Sequence, residues 1–220
     1  MIFDATAFFA ALPVLATGVG NTLWLVVASM AIGSAIGLVA CIGRLIGRGA
    51  LNALATVYIA VFRGLPETVL VFWIYACGPL VFDARLSDMA SGIVALSLVA
   101  GAYLGEIFRA GVLAVPRGQL EAASALGLSR LTMAWFIVVP QAFRIMLPAF
   151  FSLITIVIKN SSIVSAIGVA ELFYRANVLA GDTFKYFEIF TSAGVTYFAL
   201  IFPLSLASQQ LERRLAVGSR

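Results

Sequence analysis

Histidine is absent from this chain, which removes the side chain most used for acid–base work near neutral pH and the commonest metal ligand. Cysteine is scarce. Cys41 and Cys77 both fall in apolar segments without CxxC or metal-ligand spacing, and read as small buried hydrophobes. No GxxxxGK[ST] phosphate loop occurs, so the chain does not cradle a nucleotide in that way. The serines are scattered with no base beside them, which leaves no activated nucleophile. Charge is the most telling shortage: 11% of the 220 residues are charged, against about 25% in an ordinary soluble domain. That inventory excludes an enzyme acting alone and a metal centre, and the net charge of +4 needs no nucleic-acid partner.

What is abundant is apolar length. The chain is 62% hydrophobic with a mean hydropathy of +1.07. Runs of roughly 20 apolar residues cross a hydrocarbon core about 30 Å thick, and the pattern predicts an all-α, polytopic membrane protein. Five spans can be drawn, at about 17–43, 54–79, 89–113, 141–161 and 189–211. The first 16 or so residues, with Phe3, Phe8, Phe9 and Leu12 before a breaking Pro13, read as an interfacial helix lying on the membrane. Asp4 stands where a cleavable leader would carry positive charge, so the first span is expected to act as an uncleaved anchor. No internal repeat or long linker marks a second domain, and 1–220 reads as one membrane domain.

Loop charges set the orientation. With the C-terminus inside, Arg44, Arg48, Arg63, Arg109, Arg117, Arg130, Arg144, Arg213, Arg214 and Arg220 all sit at or near the cytoplasmic face. Arg85, Lys159, Arg175 and Lys185 then fall outside or within the membrane, among Asp83, Asp88, Glu171, Asp182 and Glu188. That asymmetry predicts N-out, C-in.

The loop at about 114–138 then faces the cytoplasm. Its charges and turning backbone would go unsatisfied in lipid. Val115-Pro116-Arg117-Gly118-Gln119 breaks the third span. Leu120 to Leu126 predicts a two-turn helix with Glu121 near its N-terminus, where the helix dipole favours an acid. Gly127 suits a left-handed C-terminal cap and Ser129 the N-cap of a further short helix. An element this short gains little from its own propensity and is held by docking into a partner's groove.

Written as a pattern, Glu121-Ala122-Ala123-x3-Gly127-x9-Ile137-x-Val139-Pro140 resembles the EAA loop of ABC-importer permeases, with Val139 where leucine is usual. The resemblance widens to the polar amino-acid uptake branch of that family. It includes Gly18-x2-Asn21-Thr22-Leu23, Tyr58-x5-Gly64-x-Pro66 and Ala102 through Gly111. Downstream it includes Val139-Pro140-Gln141-Ala142-x-Arg144, Leu147-Pro148 and Lys159-Asn160-Ser161-Ser162-Ile163. It runs from about residue 18 to Glu212-Arg213-Arg214, with Asn160-Ser161 where members often have Asp-Thr.

The resemblance implies a type I importer-like permease in a bacterial inner membrane, moving polar amino acids or opine-like derivatives by alternating access. It implies two ATP-binding subunits docked through Gln119, Glu121, Ala122, Ala123 and Gly127, with ATP and magnesium held there and no cofactor on this chain. A second permease chain, identical or homologous, and an extracytoplasmic solute-binding protein complete the assembly.

Charged and polar residues in the spans suggest where a path runs. Ser152, Thr155 and Lys159 share one helix face, with Asn160 and Ser162 just beyond. Lys159 either meets the carboxylate of an amino acid or caps its helix at the outer surface. No carboxylate lies on this stripe, which favours a neutral or acidic substrate. Arg63 with Glu67, and Glu106 with Arg109, are spaced to pair on one helix face, as structural ion pairs or as a gate at the inner mouth. A stand-alone secondary transporter or channel is the competing class. It is disfavoured by the short chain and by the lack of an inverted repeat.

Overall fold

The computed structural model describes residues 3–47, 49–83 and 85–217. Met1, Ile2, Arg48 and Arg220, which enter the readings above, lie outside the described residues, as does the side chain of Arg214. Regular structure among the described residues is helical throughout. The elements are α1 (Ala5–Leu45), α2 (Ala50–Gly64), α3 (Glu67–Phe72), α4 (Gly78–Phe82) and α5 (Asp88–Leu113). They continue with α6 (Arg117–Ala125), α7 (Arg130–Met133), α8 (Val139–Asn160), α9 (Leu172–Thr183) and α10 (Tyr186–Val217). Two π-helical turns, Trp73–Cys77 and Ala134–Val138, join α3 to α4 and α7 to α8, and a 3₁₀ segment, Ser161–Ile167, follows α8.

Four stretches are long and apolar enough to cross a bilayer: Ala5–Leu45, Asp88–Leu113, Arg130–Ile167 and Tyr186–Arg213. The fifth expected span is not one rod. It bends by 104° between α2 and the helical stretch from Glu67 to Val81. Leu65 is extended (φ −84°, ψ 139°), as the residue before a proline prefers, and Pro66 at φ −61°, ψ 129° precedes the first turn of α3.

The N-terminal expectation is also corrected. Pro13 does not end a helix: α1 is continuous over 41 residues, about 60 Å at 1.5 Å per residue. Its first turns lie against the protein, because Ala11 and Leu15 are buried in a cluster with Leu172, Ala176, Ala180, Ile189 and Ala193. The same stretch is tied to α10, where Ser192 Oγ donates to the Phe8 carbonyl at 2.8 Å.

Asp4 starts this helix. Its Oδ1 accepts from the Thr6 and Ala7 amides at 2.9 and 3.2 Å, and its Oδ2 pairs with Lys185 Nζ at 2.6 Å. The Lys185 contact, then Thr6, hold the Asp4 carboxyl below the usual carboxylate range, and Asp4 in turn raises Lys185. A depressed carboxylate stabilises above its unfolded pKa, near 3.9, and a raised lysine below its own, near 10.4. Asp4→Asn is therefore expected to lower the melting temperature between about pH 4 and pH 10 and to converge with the native chain in stronger acid. Both groups are partly exposed, so the effect is small. A difference that grew on acidification would contradict the pairing.

Small residues bring the helices together. Gly33 and Gly37 of α1 face Ala100, Gly101, Leu104 and Gly105 of α5, and a Cβ on Gly37 would stand 2.7 Å from Leu104 Cβ and 2.9 Å from the Gly105 amide. This is the close backbone approach that small-xxx-small seams give membrane helices. α5 is the most enclosed of the four long stretches, with 61% of its apolar window buried, whereas α10 buries 17% and leaves an unpartnered apolar face.

Candidate translocation path and coupling surface

The loop between α5 and α8 forms at the end where α1, α5 and α10 finish. Its helix starts earlier than expected: Pro116 (φ −60°, ψ 131°) flanks it and α6 begins at Arg117. Glu121 is thus in mid-helix, and no acid occupies the first turn. The C-terminal expectation holds. Gly127 has φ +73°, its amide donates to Ser124 O at 3.0 Å and that of Leu128 to Ala123 O at 3.1 Å. These two bonds are a Schellman closure, which needs a left-handed residue at the glycine position. Ser129 then caps α7 by accepting from the Thr132 amide at 3.1 Å.

Of the residues expected on this surface, Gln119, Glu121, Ala122 and Gly127 are exposed and Ala123 is buried at 3%. Gln119 accepts from Gln141 at the start of α8, tying α6 to the helix that follows. Sequence reasoning missed Leu126, which stands 80% exposed at the tip of the turn. Its signal was an apolar residue directly before the capping glycine.

The four residues of the expected path separate into three places. Ser152 lines a cavity of about 650 Å³ between α5, α8 and α10, with Tyr103, Ile107, Leu153, Ile156 and Glu212. Its Oγ lies 3.1 Å from Ser208 Oγ of α10. Thr155 is turned into packing and donates to Ser152 O at 2.7 Å. Lys159 is exposed and Asn160 half-buried at the far end of α8. There Asn160 Nδ2 approaches Glu67 Oε1 at 3.4 Å. The stripe therefore does have a carboxylate beside it, contrary to the sequence expectation, because the bend before α3 brings in a residue 93 positions away. The Ser152 cavity has a carboxylate of its own in Glu212, from α10.

The same bend undoes the expected Arg63–Glu67 pair. The i, i+4 geometry needs one continuous helix, and Leu65–Pro66 interrupts it. Arg63 instead lies over the Tyr103 ring, 5.1 Å from its centroid. The second pair forms as expected, with Arg109 Nη2 2.8 Å from Glu106 Oε2, and it gains a third member in Arg44, whose Nη1 is 3.2 Å from Oε1.

At the opposite end of the molecule, Glu171 is fully buried. It accepts from the Tyr174 amide at 2.7 Å and Tyr197 Oη at 2.8 Å. Asn21 Nδ2 donates to Ala170 O at 2.8 Å, and Leu172 N to Thr22 Oγ1 at 3.2 Å. A Cβ on Gly18 would collide with the Glu171–Leu172 backbone at 2.8 Å. The Gly18-x2-Asn21-Thr22 motif is thus a seat for the segment between α8 and α10, whose α9 was not anticipated. Among the described residues, no group of three His, Cys, Asp or Glu could hold a metal ion.

Comparison with known proteins places this geometry. Residues 33–217 match the family model described as the binding-protein-dependent transport system inner membrane component. The glutamine transport system permease protein GlnP of Escherichia coli (strain K12) is 37% identical over 218 residues, covering 99% of this chain and 100% of the relative. The arginine transport system permease protein ArtQ of Bacillus subtilis is 33% identical, covering 98% of both chains. Among solved structures, an amino acid ABC transporter with histidines matches with a TM-score of 0.89 at 32% identity, covering 97% of this chain and 100% of that one. An inward-facing MetNI methionine ABC transporter shares the fold, with a TM-score of 0.76 at 20% identity over 91% of this chain and 95% of that one.

Proposed function

Because this chain belongs to the family of binding-protein-dependent transport system inner membrane components, we propose that it is the permease of a bacterial ABC importer for polar amino acids. The exposed, Schellman-capped α6 carries this reading, since an acid-bearing helix of nine residues standing clear of the bundle is built to be gripped by another subunit. Two ATP-binding subunits dock there, holding ATP and magnesium. A second permease covers the open face of α10, and a solute-binding protein delivers substrate on the side of α9. The arginine asymmetry orients the chain N-out, C-in in the inner membrane.

Alternating access then follows from rigid-body motion: closure of the ATPase pair pulls α6, and the Gln119–Gln141 contact passes the movement to α8. The broken second span supplies the substrate contact, as interrupted helices do in transporters. Glu67 is placed to receive the ammonium of a zwitterionic amino acid, with Asn160 beside it. Lys159, at the same end of α8, is available to its carboxylate. Glutamine, arginine, histidine and cystine are the amino acids to try first, following the relatives and the solved transporter.

The test is uptake by proteoliposomes containing the complete assembly. Accumulation is expected only with ATP and the binding protein, and accumulation without nucleotide would move the stand-alone transporter to the front. Glu67→Gln is expected to raise the apparent KM for uptake about 10- to 100-fold, the loss of a charge-assisted hydrogen bond of roughly 1.5–3 kcal/mol. An unchanged KM would remove Glu67 from the substrate contact while leaving the importer reading intact.

A further inference from the structure

Arg44 and Glu106, two members of the Arg44–Glu106–Arg109 group, face a pocket that the transport cycle above does not use. It is a space of about 490 Å³ between α1, α2 and α5, lined by Arg44, Thr56, Ile59, Arg63, Tyr103 and Glu106. One carboxylate serves this neighbourhood, and it is already divided. Arg109 takes Oε2 through Nε and Nη2 at 3.1 and 2.8 Å, and Arg44 approaches Oε1 at 3.2 Å. Arg63 makes no ion pair among the described residues and rests on the Tyr103 ring. Three guanidinium groups against one carboxylate leave two positive charges without a counter-charge. They are also partly withdrawn from solvent: the Arg44 and Arg109 side chains are 23% and 28% exposed.

The position of the pocket says what kind of anion fits. It lies beside Arg44 in the last turn of α1 and Glu106 in the C-terminal half of α5, on two helices long and apolar enough to cross a bilayer. Apolar side chains on the same two helices are uncovered, with Ile46 at the end of α1 77% exposed and Leu54 and Val57 on α2 67% and 59% exposed. A soluble anion would leave those side chains bare, whereas acyl chains cover them. Guanidinium groups match phosphate oxygens geometrically, and basic pockets between spanning helices recognise anionic headgroups.

We infer that this pocket binds the phosphate of an anionic phospholipid, with Arg44 and Arg63 on the phosphate, Thr56 at its rim and the acyl chains along the outer faces of α1 and α2. Tyr103 borders both this pocket and the Ser152 cavity, but the site uses none of the residues proposed to hold substrate and does not rest on the amino-acid reading. It gives the bend of the second span a lipid-dependent anchor.

Native mass spectrometry of the protein in its native assembly, in detergent with equal phosphatidylglycerol and phosphatidylethanolamine, tests this. Phosphatidylglycerol is expected to be retained over phosphatidylethanolamine by about 30-fold, given two arginines at the surface. Arg44→Gln is expected to bring the two lipids near parity. Thr56→Asp should do the same from an exposed site on α2 that makes no ion pair, so a folding defect from the first variant does not decide the matter. Equal retention in the native chain, or enrichment that survives both substitutions, would overturn the inference. Displacement of phosphatidylglycerol by millimolar inorganic phosphate would overturn it in favour of a soluble-anion site.

Discussion

Replacing Gly37 by leucine is expected to abolish the folded protein. The Cβ alone would sit 2.7 Å from Leu104 Cβ, 2.9 Å from the Gly105 amide and 3.0 Å from the Gly101 carbonyl. Two of those three atoms are backbone, so no rotamer change relieves the overlap and α1 must move away from α5. That seam runs through the main hydrophobic cluster, in which Leu25, Met30, Val99, Ala100 and Leu104 are buried together. Overpacking a tight core costs about 1–3 kcal/mol, and separating two backbones reaches the top of that range or beyond it. The expected result is loss of the monodisperse peak after extraction, or a collapse of its melting temperature. Gly20→Leu is the control, because nothing lies within 4 Å of a Cβ there. Similar behaviour of the two variants would mean that α1 and α5 do not meet as described.

The second large effect is expected at Leu126. This side chain is 80% exposed at the end of α6, with Leu131 and Phe136 also uncovered farther along the loop. Water is a poor place for such a group unless a partner covers it. Burying a leucine is worth roughly 1.5–3 kcal/mol, and glutamate in its place adds the cost of an unpaired charge in a dry contact. Leu126→Glu is therefore expected to weaken retention of the ATP-binding subunits by about 30- to 100-fold or more, with coupled transport falling in step. Expression, insertion and melting temperature of the permease should stay close to those of the native chain, because Leu126 packs on little within it. Undiminished co-purification of an ATPase with this variant would place the coupling contact elsewhere.

These two positions differ in how readily the sequence discloses them. Leu126 lies next to Gly127, whose left-handed cap was expected from the spacing and is present at φ +73°. The glycine seam could be suspected from Gly33-x3-Gly37 and Gly101-x3-Gly105, yet nothing local says that these two pairs face one another. The second span shows the limit more sharply. Its hydropathy was plain, and the Arg63–Glu67 pair expected across Pro66 assumed a continuous helix, but the 104° bend is a property of the packed chain. The bend separates Arg63 from Glu67, carries Glu67 to Asn160 and lays Arg63 on Tyr103. The N-terminal stretch was misread for a similar reason: Pro13 breaks an isolated helix, but α1 is held through it by packing on α9 and α10.

The sequence by itself determined what depends on short range. It set the membrane class, the long apolar spans, the capped helix around Glu121, the Glu106–Arg109 pair and the family to which the chain belongs. Each is written in residues a few positions apart, where hydropathy, capping and i, i+3 geometry act without knowledge of the rest of the chain. Only the tertiary structure decided which groups meet across long separations. Glu67 with Asn160, Arg44 with Glu106, Glu171 with Tyr197 and Ser152 with Ser208 are contacts of this kind. The physical reason is that apolar periodicity specifies which face of a helix is buried, and leaves open which neighbour buries it. That choice is made by backbone approach at glycines, by the bend at Leu65–Pro66 and by the need of each enclosed polar group for a partner.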